Sequence, residues 1–239
     1  MIGIFRQKNS SNVLILLIYA LALKFNLFLH PVAPIRQPED NFLYNSLLNL
    51  LQPLNLPSIF YSLIAFTLLF TQASLLNRLC NTQKMLAKPS YLPAMSYILI
   101  TSLLPEWSHF SAPLIINSIL IWIYYRMVLL YNSSKPSASI FNIGVAMGIV
   151  TLFYQPAVLF VVLIWFALYI MRPFIIREWL IGLLGLTTPY YFLAIILYLT
   201  NQWNWQKVIP ALTFTLPAMP SSVFITISLV LLVLAFIIG

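Results

Sequence analysis

The stretch Leu14-Ile15-Leu16-Leu17-Ile18 decides the fold class of this chain, because it is apolar at every successive position. A membrane β-barrel strand would alternate apolar and polar residues over segments of about ten residues. An unbroken apolar run instead predicts a helix with apolar surroundings on all sides. This stretch lies inside a longer apolar run at residues 12–30.

Composition extends this prediction to the whole chain. Of its 239 residues, 62% are hydrophobic and only 7% are charged, and the mean hydropathy is +0.95. A soluble domain carries about 25% charged residues, so we expect no soluble fold. Further apolar runs follow at residues 57–77, 91–104, 112–131, 139–154, 157–171, 179–199 and 221–239. The chain is predicted to be an all-α, polytopic transmembrane helix bundle of about eight spans.

We predict one integral membrane domain over residues 1–239, because no polar stretch is long enough to build a soluble domain. The run at 139–171 is expected to break at Tyr154-Gln155-Pro156, since Pro156 cannot continue a helical hydrogen-bond ladder. The last residues, Leu-Ala-Phe-Ile-Ile-Gly, lack the anchoring side chains that close a final span. The native protein is therefore expected to continue beyond Gly239.

The basic residues predict the orientation of the chain. Nine of the twelve fall on one side if the runs alternate: Arg6, Lys8, Arg78, Lys84, Lys88, Arg126, Lys135, Arg172 and Arg177. By the positive-inside rule this side is the cytoplasm, so the N-terminus is predicted to be cytoplasmic. Because these cations flank apolar runs, we expect membrane lipids rather than nucleic acid to match the formal charge of +8.

Acidic and histidine side chains are rare and gather on the opposite, external side. Only four carboxylates and two histidines occur, and five of these six lie in external gaps: His30, Glu39, Asp40, Glu106 and His109. A charge near hydrocarbon is costly and tends to be kept where it has a function. These gaps are therefore the place to look for chemistry.

The first external gap is predicted to hold a surface helix at about residues 31–56. Pro38 is placed to start a helix that Glu39, Asp40 and Asn41 open, and later leucines recur at roughly helical spacing. One interpretation makes the acidic pair catalytic, with one carboxylate acting as general base on an acceptor hydroxyl. The alternative is that the acids only favour a helix N-terminus, by about 0.3–1 kcal/mol.

The second external gap holds Glu106 and His109, three positions apart. One helical turn would place them on the same face, where a carboxylate and an imidazole can hold a divalent metal or share a proton. The alternative is an interfacial turn anchored by Trp107. If the two gaps converge, their carboxylates and imidazoles could surround one cation.

Two other features concern packing and placement. Gly144, Gly148, Gly182 and Gly185 provide small faces for close helix packing, and Gly144-x-x-x-Gly148 fits the small-xxx-small pattern. Lys24 lies within the first run; it is expected to extend to the external surface, or to pair with a carboxylate or a phosphate.

The chain resembles two groups of proteins. Met1-Ile2-Gly3-Ile4-Phe5-Arg6, Gln37-Pro38-Glu39-Asp40-Asn41 and Arg172-Pro173-Phe174-Ile175-Ile176-Arg177-Glu178-Trp179 are similar to an uncharacterised integral membrane family of Bacteroidota. The acidic pair between a first span and a surface helix resembles the membrane-embedded GT-C glycosyltransferases, which use polyprenyl-phosphate sugars. That resemblance implies an acceptor-binding or base role for Asp40 or Glu39, and a metal-holding role for Glu106 with His109.

Two functions follow as hypotheses. The first is a glycosyltransferase-like enzyme acting on a polyprenyl-phosphate-linked sugar at the external face, with the donor phosphate neutralised by Lys24, Arg36 or Lys207. The alternative is a non-catalytic subunit that scaffolds other envelope or secretion membrane proteins, with the Arg172–Trp179 turn as a contact. A substrate channel or flippase is a third possibility. No phosphate-binding glycine loop or nucleophile elbow occurs in the sequence.

Overall fold

The computed structural model describes residues 5, 11–131, 133, 136–171, 175–203, 226–227 and 230. Nine α-helices occur in this part of the chain: α1 Ser11–Leu23, α2 Phe25–Leu29, α3 Phe42–Leu51, α4 Ser58–Thr82, α5 Leu92–Ile100, α6 Ala112–Val128, α7 Ser137–Phe153, α8 Val158–Met171 and α9 Ile176–Leu199. Three short 3-10 helices join them: Gln52–Leu54, Pro105–Ser108 and Gln155–Ala157. No strand forms within these ranges, which confirms the all-α prediction.

Helices α4 and α9 are long and apolar enough to cross a membrane, with 25 and 24 residues. At 1.5 Å per residue each extends roughly 36 Å, which exceeds a hydrocarbon core of about 30 Å. Four further apolar helices have 10–17 residues. The first seven predicted apolar runs all contain helices, and the eighth, 221–239, lies almost wholly outside the described residues.

The chain divides into two compact units. The first unit comprises Met1–Val32, Ser58–His109 and Thr215–Gly239, and the second comprises Ala33–Pro57 and Phe110–Phe214. The first unit therefore contains α1, α2, α4 and α5, while the second contains α3 and α6 to α9. The single membrane domain expected from the sequence stays a prediction.

Small residues form the centre of the first unit. Ala20 of α1, Ala73 of α4 and Ala94 of α5 are almost completely buried, together with Leu16 and Ile98. Small side chains let helix backbones approach closely, which is the packing mode available where no water drives helices together.

The four predicted packing glycines bring α7 and α9 into close contact in the second unit. A Cβ built on Gly144 would lie 2.4 Å from the carbonyl oxygen of Gly182, and one on Gly185 would lie 2.4 Å from that of Phe141. A Cβ on Gly148 would lie 2.5 Å from the carbonyl oxygen of Leu186. Only glycine permits such an approach, so the predicted small-residue interface is confirmed.

The predicted break at Tyr154-Gln155-Pro156 is confirmed. Helix α7 ends at Phe153, Tyr154 is extended, and Pro156 lies at the start of the 3-10 helix Gln155–Ala157. The missing N–H of proline is tolerated there because the first N–H groups of a helix have no partner within it.

The predicted start of the surface helix is wrong by several residues. Helix α3 begins at Phe42, not at Pro38, and Asn41 is its N-cap, with its side-chain oxygen accepting the Phe42 N–H. Pro38 and Glu39 lie in a turn, and Asp40 pairs with Tyr154 in an isolated antiparallel bridge. Asp40 thus pairs with a residue distant in sequence instead of entering the helix. Helix propensity, which is a local property, does not predict such a pairing.

Candidate functional site

The acidic loop 37–41 is fixed in the second unit by the break after α7. The Asn41 N–H donates to the Phe153 carbonyl at 3.0 Å, and the Gln155 N–H donates to the Glu39 carbonyl at 3.0 Å. The Phe153 carbonyl and the Gln155 N–H have no partner within α7, because the helix ends at Phe153. The loop supplies a partner for each of them. Two backbone hydrogen bonds therefore attach the acidic loop to the break after α7.

Asp40 is buried, with 6% of its surface exposed. Its Oδ2 accepts the Gln37 backbone N–H at 2.7 Å, and the Asp40 N–H donates to the Gln37 carbonyl at 3.1 Å. Burial raises the pKa of the Asp40 carboxyl above its usual value, the Gln37 hydrogen bond lowers it, and the neighbouring Glu39 raises it again. Asp40 is thus a carboxyl group held rigidly, with its charged form disfavoured by desolvation.

Glu39 is equally enclosed, with 9% exposure. Within the described part of the chain, no side chain or N–H donates a hydrogen bond to its carboxylate, and neither Glu39 nor Asp40 forms an ion pair. Two adjacent buried acids without a cation are unusual, because buried charges are normally paired. Groups of this kind concentrate at functional sites, although structural networks also produce them.

Asn41, Thr151 and Tyr190 connect the acidic loop to α7 and α9. The Asn41 side-chain amide donates to the Thr151 carbonyl at 2.9 Å, and the Tyr190 hydroxyl donates to Thr151 Oγ1 at 2.8 Å. The Thr151 hydroxyl in turn donates to the Gly148 carbonyl at 2.9 Å. Sequence reasoning missed Thr151 and Tyr190, because no local pattern marks two residues that meet 39 positions apart.

Tyr44 of α3 is completely buried. Its hydroxyl donates to the Phe110 carbonyl at 3.4 Å, and burial, then the nearby Asp40 charge, raises the Tyr44 pKa. Tyr44 therefore stays neutral, and its ring centroid lies 6.4 Å from that of Phe110.

The predicted phosphate-binding cations differ in their surroundings. Arg36 is exposed and donates through its guanidinium to Asn49 Oδ1 of α3. Lys207 lies outside the described residues. Arg36 is therefore the predicted phosphate ligand that the structure places in the same unit as the acidic pair.

Lys24 belongs to the first unit and is buried, with 3% exposure. Its Nζ donates to the Thr101 carbonyl at 2.7 Å, to Thr101 Oγ1 at 3.1 Å and to Ser108 Oγ at 2.6 Å. An ammonium has three N–H groups, so these neutral oxygens satisfy them all. Lys24 does not extend to the surface as expected, because a polar pocket inside the unit accepts its whole hydrogen-bonding capacity.

Glu106 and His109 lie at the two ends of one 3-10 turn in the first unit. A 3-10 helix has three residues per turn, so positions three apart lie on the same side. Glu106 is exposed and His109 is half-buried; burial lowers the pKa of His109, and Glu106 raises it. The Nδ1 atom of His109 is buried without a hydrogen-bond partner.

Among the described residues, no three His, Cys, Asp or Glu side chains come together as a metal site. Glu106 and His109 supply two donors, and the buried Nδ1 leaves only the other ring nitrogen for a ligand. Glu39 and Asp40 belong to the second unit, so convergence of the two external gaps stays a prediction.

No family model, no curated protein and no solved structure matches this chain. The acidic loop of the second unit therefore has to be interpreted from its own chemistry. It offers a rigid carboxyl group with a raised pKa, a second carboxyl group beside it and an exposed arginine four positions earlier.

Proposed function

We propose that this chain is a multi-pass protein of the bacterial inner membrane, with its N-terminus in the cytoplasm and the acidic loop on the external face. Besides α4 and α9, support comes from apolar side chains exposed along one stripe of a helix. On α1, Leu14 is 64% exposed, Ile18 56% and Leu21 39%. Exposed apolar surfaces of this kind mark contacts with lipid or with other proteins.

The topology can be tested by cysteine labelling, since Cys80 is the only cysteine. In a Cys80→Ser background, Gln37→Cys is expected to react with a membrane-impermeant maleimide in intact spheroplasts. Lys84→Cys should react only after permeabilisation. Equal labelling of both positions before permeabilisation would contradict the proposed orientation.

We further propose that the protein is a glycosyltransferase-like enzyme that uses a polyprenyl-phosphate-linked sugar. The observation that carries this proposal is the pair of buried carboxyl groups, Glu39 and Asp40, without a cation partner among the described residues. A general base works best when its pKa lies near the operating pH, and burial moves the Asp40 pKa in that direction.

In the proposed step, the Asp40 carboxylate accepts the proton of an acceptor hydroxyl. The hydroxyl oxygen forms a bond to the anomeric carbon of the sugar, and the bond from that carbon to the polyprenyl phosphate oxygen breaks. The phosphate leaves with the bonding electron pair, and Arg36 is the nearby cation available to neutralise it. Burial and, as a smaller contribution, the neighbouring Glu39 carboxylate raise the pKa of Asp40.

The proposal can be tested in cells that lack the protein. We expect such cells to accumulate one polyprenyl-phosphate-linked sugar, measured by mass spectrometry of extracted lipids. The wild-type protein should restore the normal level, whereas Asp40→Asn should not, although the Asn side-chain oxygen can still accept the Gln37 N–H. Restoration by Asp40→Asn at equal protein abundance would contradict a catalytic carboxylate.

The alternative proposal is a non-catalytic subunit that holds other envelope membrane proteins. It is favoured by the hydrogen bonds of the acidic loop, since Asp40 already accepts the Gln37 N–H and Asn41 already caps α3. In that case the acids would only shape the loop. Asp40→Asn would then restore function, and partner proteins would co-purify equally with both forms.

A further inference from the structure

Tyr154 lies directly opposite Asp40 in the short antiparallel bridge that fixes the acidic loop. The two hydrogen bonds of this bridge, 3.0 Å each, join the residues on either side of the pair and not Asp40 and Tyr154 themselves. In such a non-hydrogen-bonded pair the two side chains lie on the same face, with their Cβ atoms about 4.5–5.5 Å apart. The bridge therefore brings a phenol beside the Asp40 carboxyl group.

The Tyr154 hydroxyl is open to a ligand. Within the described ranges it has no hydrogen-bond partner, and its oxygen is not buried, so a molecule outside the protein can reach it. The rest of the side chain is half-buried and packs against a buried cluster that includes Val150 and Ala157. The packed ring holds the hydroxyl in one place, which lowers the entropy lost when a ligand binds.

Glu39 and Asp40 offer hydrogen-bond acceptors beside this hydroxyl. Asp40 Oδ1 and both carboxylate oxygens of Glu39 have no partner in the described part of the chain, and none of these three oxygens is fully buried. The two side chains nevertheless keep only 6% and 9% of their surface exposed. Acceptors in such a setting gain from a ligand that supplies O–H groups, because little water is present to supply them.

The phenol of Tyr154 is a hydrogen-bond donor at neutral pH. Burial raises its pKa above the usual value, and the charges of Glu39 and Asp40 raise it further, so the hydroxyl keeps its proton. The three side chains thus present one donor next to several acceptors. An ammonium ion would serve the carboxylates but has no lone pair to accept the Tyr154 O–H, and the two carboxylates repel an anion. A neutral sugar has both the O–H groups and the oxygen that these side chains require.

We propose that Tyr154 recognises the acceptor and that this acceptor is a neutral sugar with two adjacent hydroxyl groups. The Tyr154 hydroxyl donates to one sugar oxygen, and the neighbouring sugar hydroxyl donates to Asp40, the group that accepts its proton in the proposed step. The inference rests on the proposed function for the role of Asp40. It deepens that function by naming the class of acceptor and the residue that selects it.

The test measures sugar binding to the purified full-length protein in nanodiscs by saturation-transfer difference NMR. The probes are the methyl glycosides of glucose, mannose, galactose and N-acetylglucosamine, with methylammonium as a cation for comparison. At least one glycoside should bind, and Tyr154→Phe should weaken that binding about three- to tenfold, as expected for one lost hydrogen bond. Tyr154→Phe should melt with the wild type, because the hydroxyl bonds no described residue.

Tyr169→Phe is the matched control. It removes the hydroxyl of a tyrosine that is 61% exposed in the last turn of α8, roughly 16 Å along that helix from its start. Its binding of the glycosides should equal that of the wild type.

The inference is overturned if no glycoside binds, if Tyr154→Phe binds like the wild type, if Tyr169→Phe loses as much affinity, or if methylammonium binds more tightly than every glycoside. Turnover of polyprenyl-phosphate sugars separates this inference from the proposed function. Turnover in the wild type that Tyr154→Phe leaves unchanged with every glycoside as acceptor overturns the role of Tyr154 alone. Glycoside binding that depends on Tyr154, without turnover of any donor, supports the sugar site and contradicts the enzyme.

Discussion

The ammonium nitrogen of Lys24 lies 2.6 Å from the hydroxyl oxygen of Ser108, which follows 84 positions later in the chain. This contact joins the end of α1 to the turn that carries Glu106 and His109. It places a charge inside the first unit with only neutral oxygens around it.

Removing the Ser108 hydroxyl, which accepts a hydrogen bond from Lys24, should lower the unfolding free energy more than removing the Lys24 charge. Ser108→Ala leaves a buried ammonium with an unsatisfied N–H, and we expect a loss of about 1.5–3 kcal/mol in unfolding free energy. Lys24→Met should cost less, because Ser108 already donates to the Thr101 carbonyl at 3.1 Å and no buried charge remains. Equilibrium unfolding in detergent measures both, with the exposed Ser96→Ala as control. A greater loss in Lys24→Met would contradict this ordering.

Adding a single methyl group at the α7–α9 interface should destabilise the protein. For Gly144→Ala and Gly185→Ala we expect a destabilisation of about 1–3 kcal/mol, since the new Cβ meets backbone atoms that cannot rotate away. Gly182→Ala is the matched control, because its Cβ would meet only side-chain atoms, of Trp165 at 3.2 Å and Ile140 at 3.3 Å, rather than backbone. Thermal unfolding measures the effect, and equal melting temperatures for all three variants would contradict close backbone packing.

Asp40 should make stability depend on pH in a defined direction. Burial, the largest contribution, raises its folded-state pKa above the usual 3.8, so the folded protein binds a proton more readily than the unfolded chain. Its contribution is fully present below pH 3.8 and is lost as the pH rises through the raised value.

Asp40→Asn should therefore flatten the stability profile above pH 3.8 and be at least as stable as the wild type at neutral pH. Melting temperatures recorded across roughly pH 4–8 test this. The exposed Glu106→Gln serves as the matched acid control. A profile for Asp40→Asn that keeps the wild-type slope would show that another group causes the dependence.

Lys84 ends α4 in a left-handed conformation, with a φ of 51°. The Met85 N–H donates to the Cys80 carbonyl and the Lys84 N–H to that of Asn81, which is the bonding pattern of a Schellman motif. We expect Lys84→Gly to be more stable than Lys84→Ala by about 1 kcal/mol, because only the alanine keeps the steric cost of a Cβ. Both variants lose the lysine charge, so the difference between their melting temperatures reports only the backbone conformation at position 84. Equal melting temperatures would exclude backbone strain there.

Features that depend on local rules could be predicted from the sequence. The break at Pro156 follows from the missing N–H of proline, and the glycine interface follows from spacing along α7 and α9. The break depends on neighbouring residues, and the interface depends on residues that share one helix face. Sequence periodicity identifies residues that share a helix face.

Features that depend on distant pairing could not be predicted. Helix α3 starts at Phe42 because Asp40 and Asn41 pair with residues more than a hundred positions away. Lys24 is buried because Thr101 and Ser108 surround its Nζ, and neither residue is near it in sequence.

The proposed enzyme uses the Glu39–Asp40 pair for chemistry on a lipid-linked sugar. The most direct measurement is the release of polyprenyl phosphate from a panel of radiolabelled polyprenyl-phosphate sugars by the purified protein in nanodiscs. We predict turnover with at least one donor, a loss of about 100-fold or more in Asp40→Asn and a smaller loss in Arg36→Gln, with neither variant melting below the wild type. Turnover that Asp40→Asn retains in full, or no turnover with any donor and acceptor, would contradict the catalytic account and leave the non-catalytic subunit in its place.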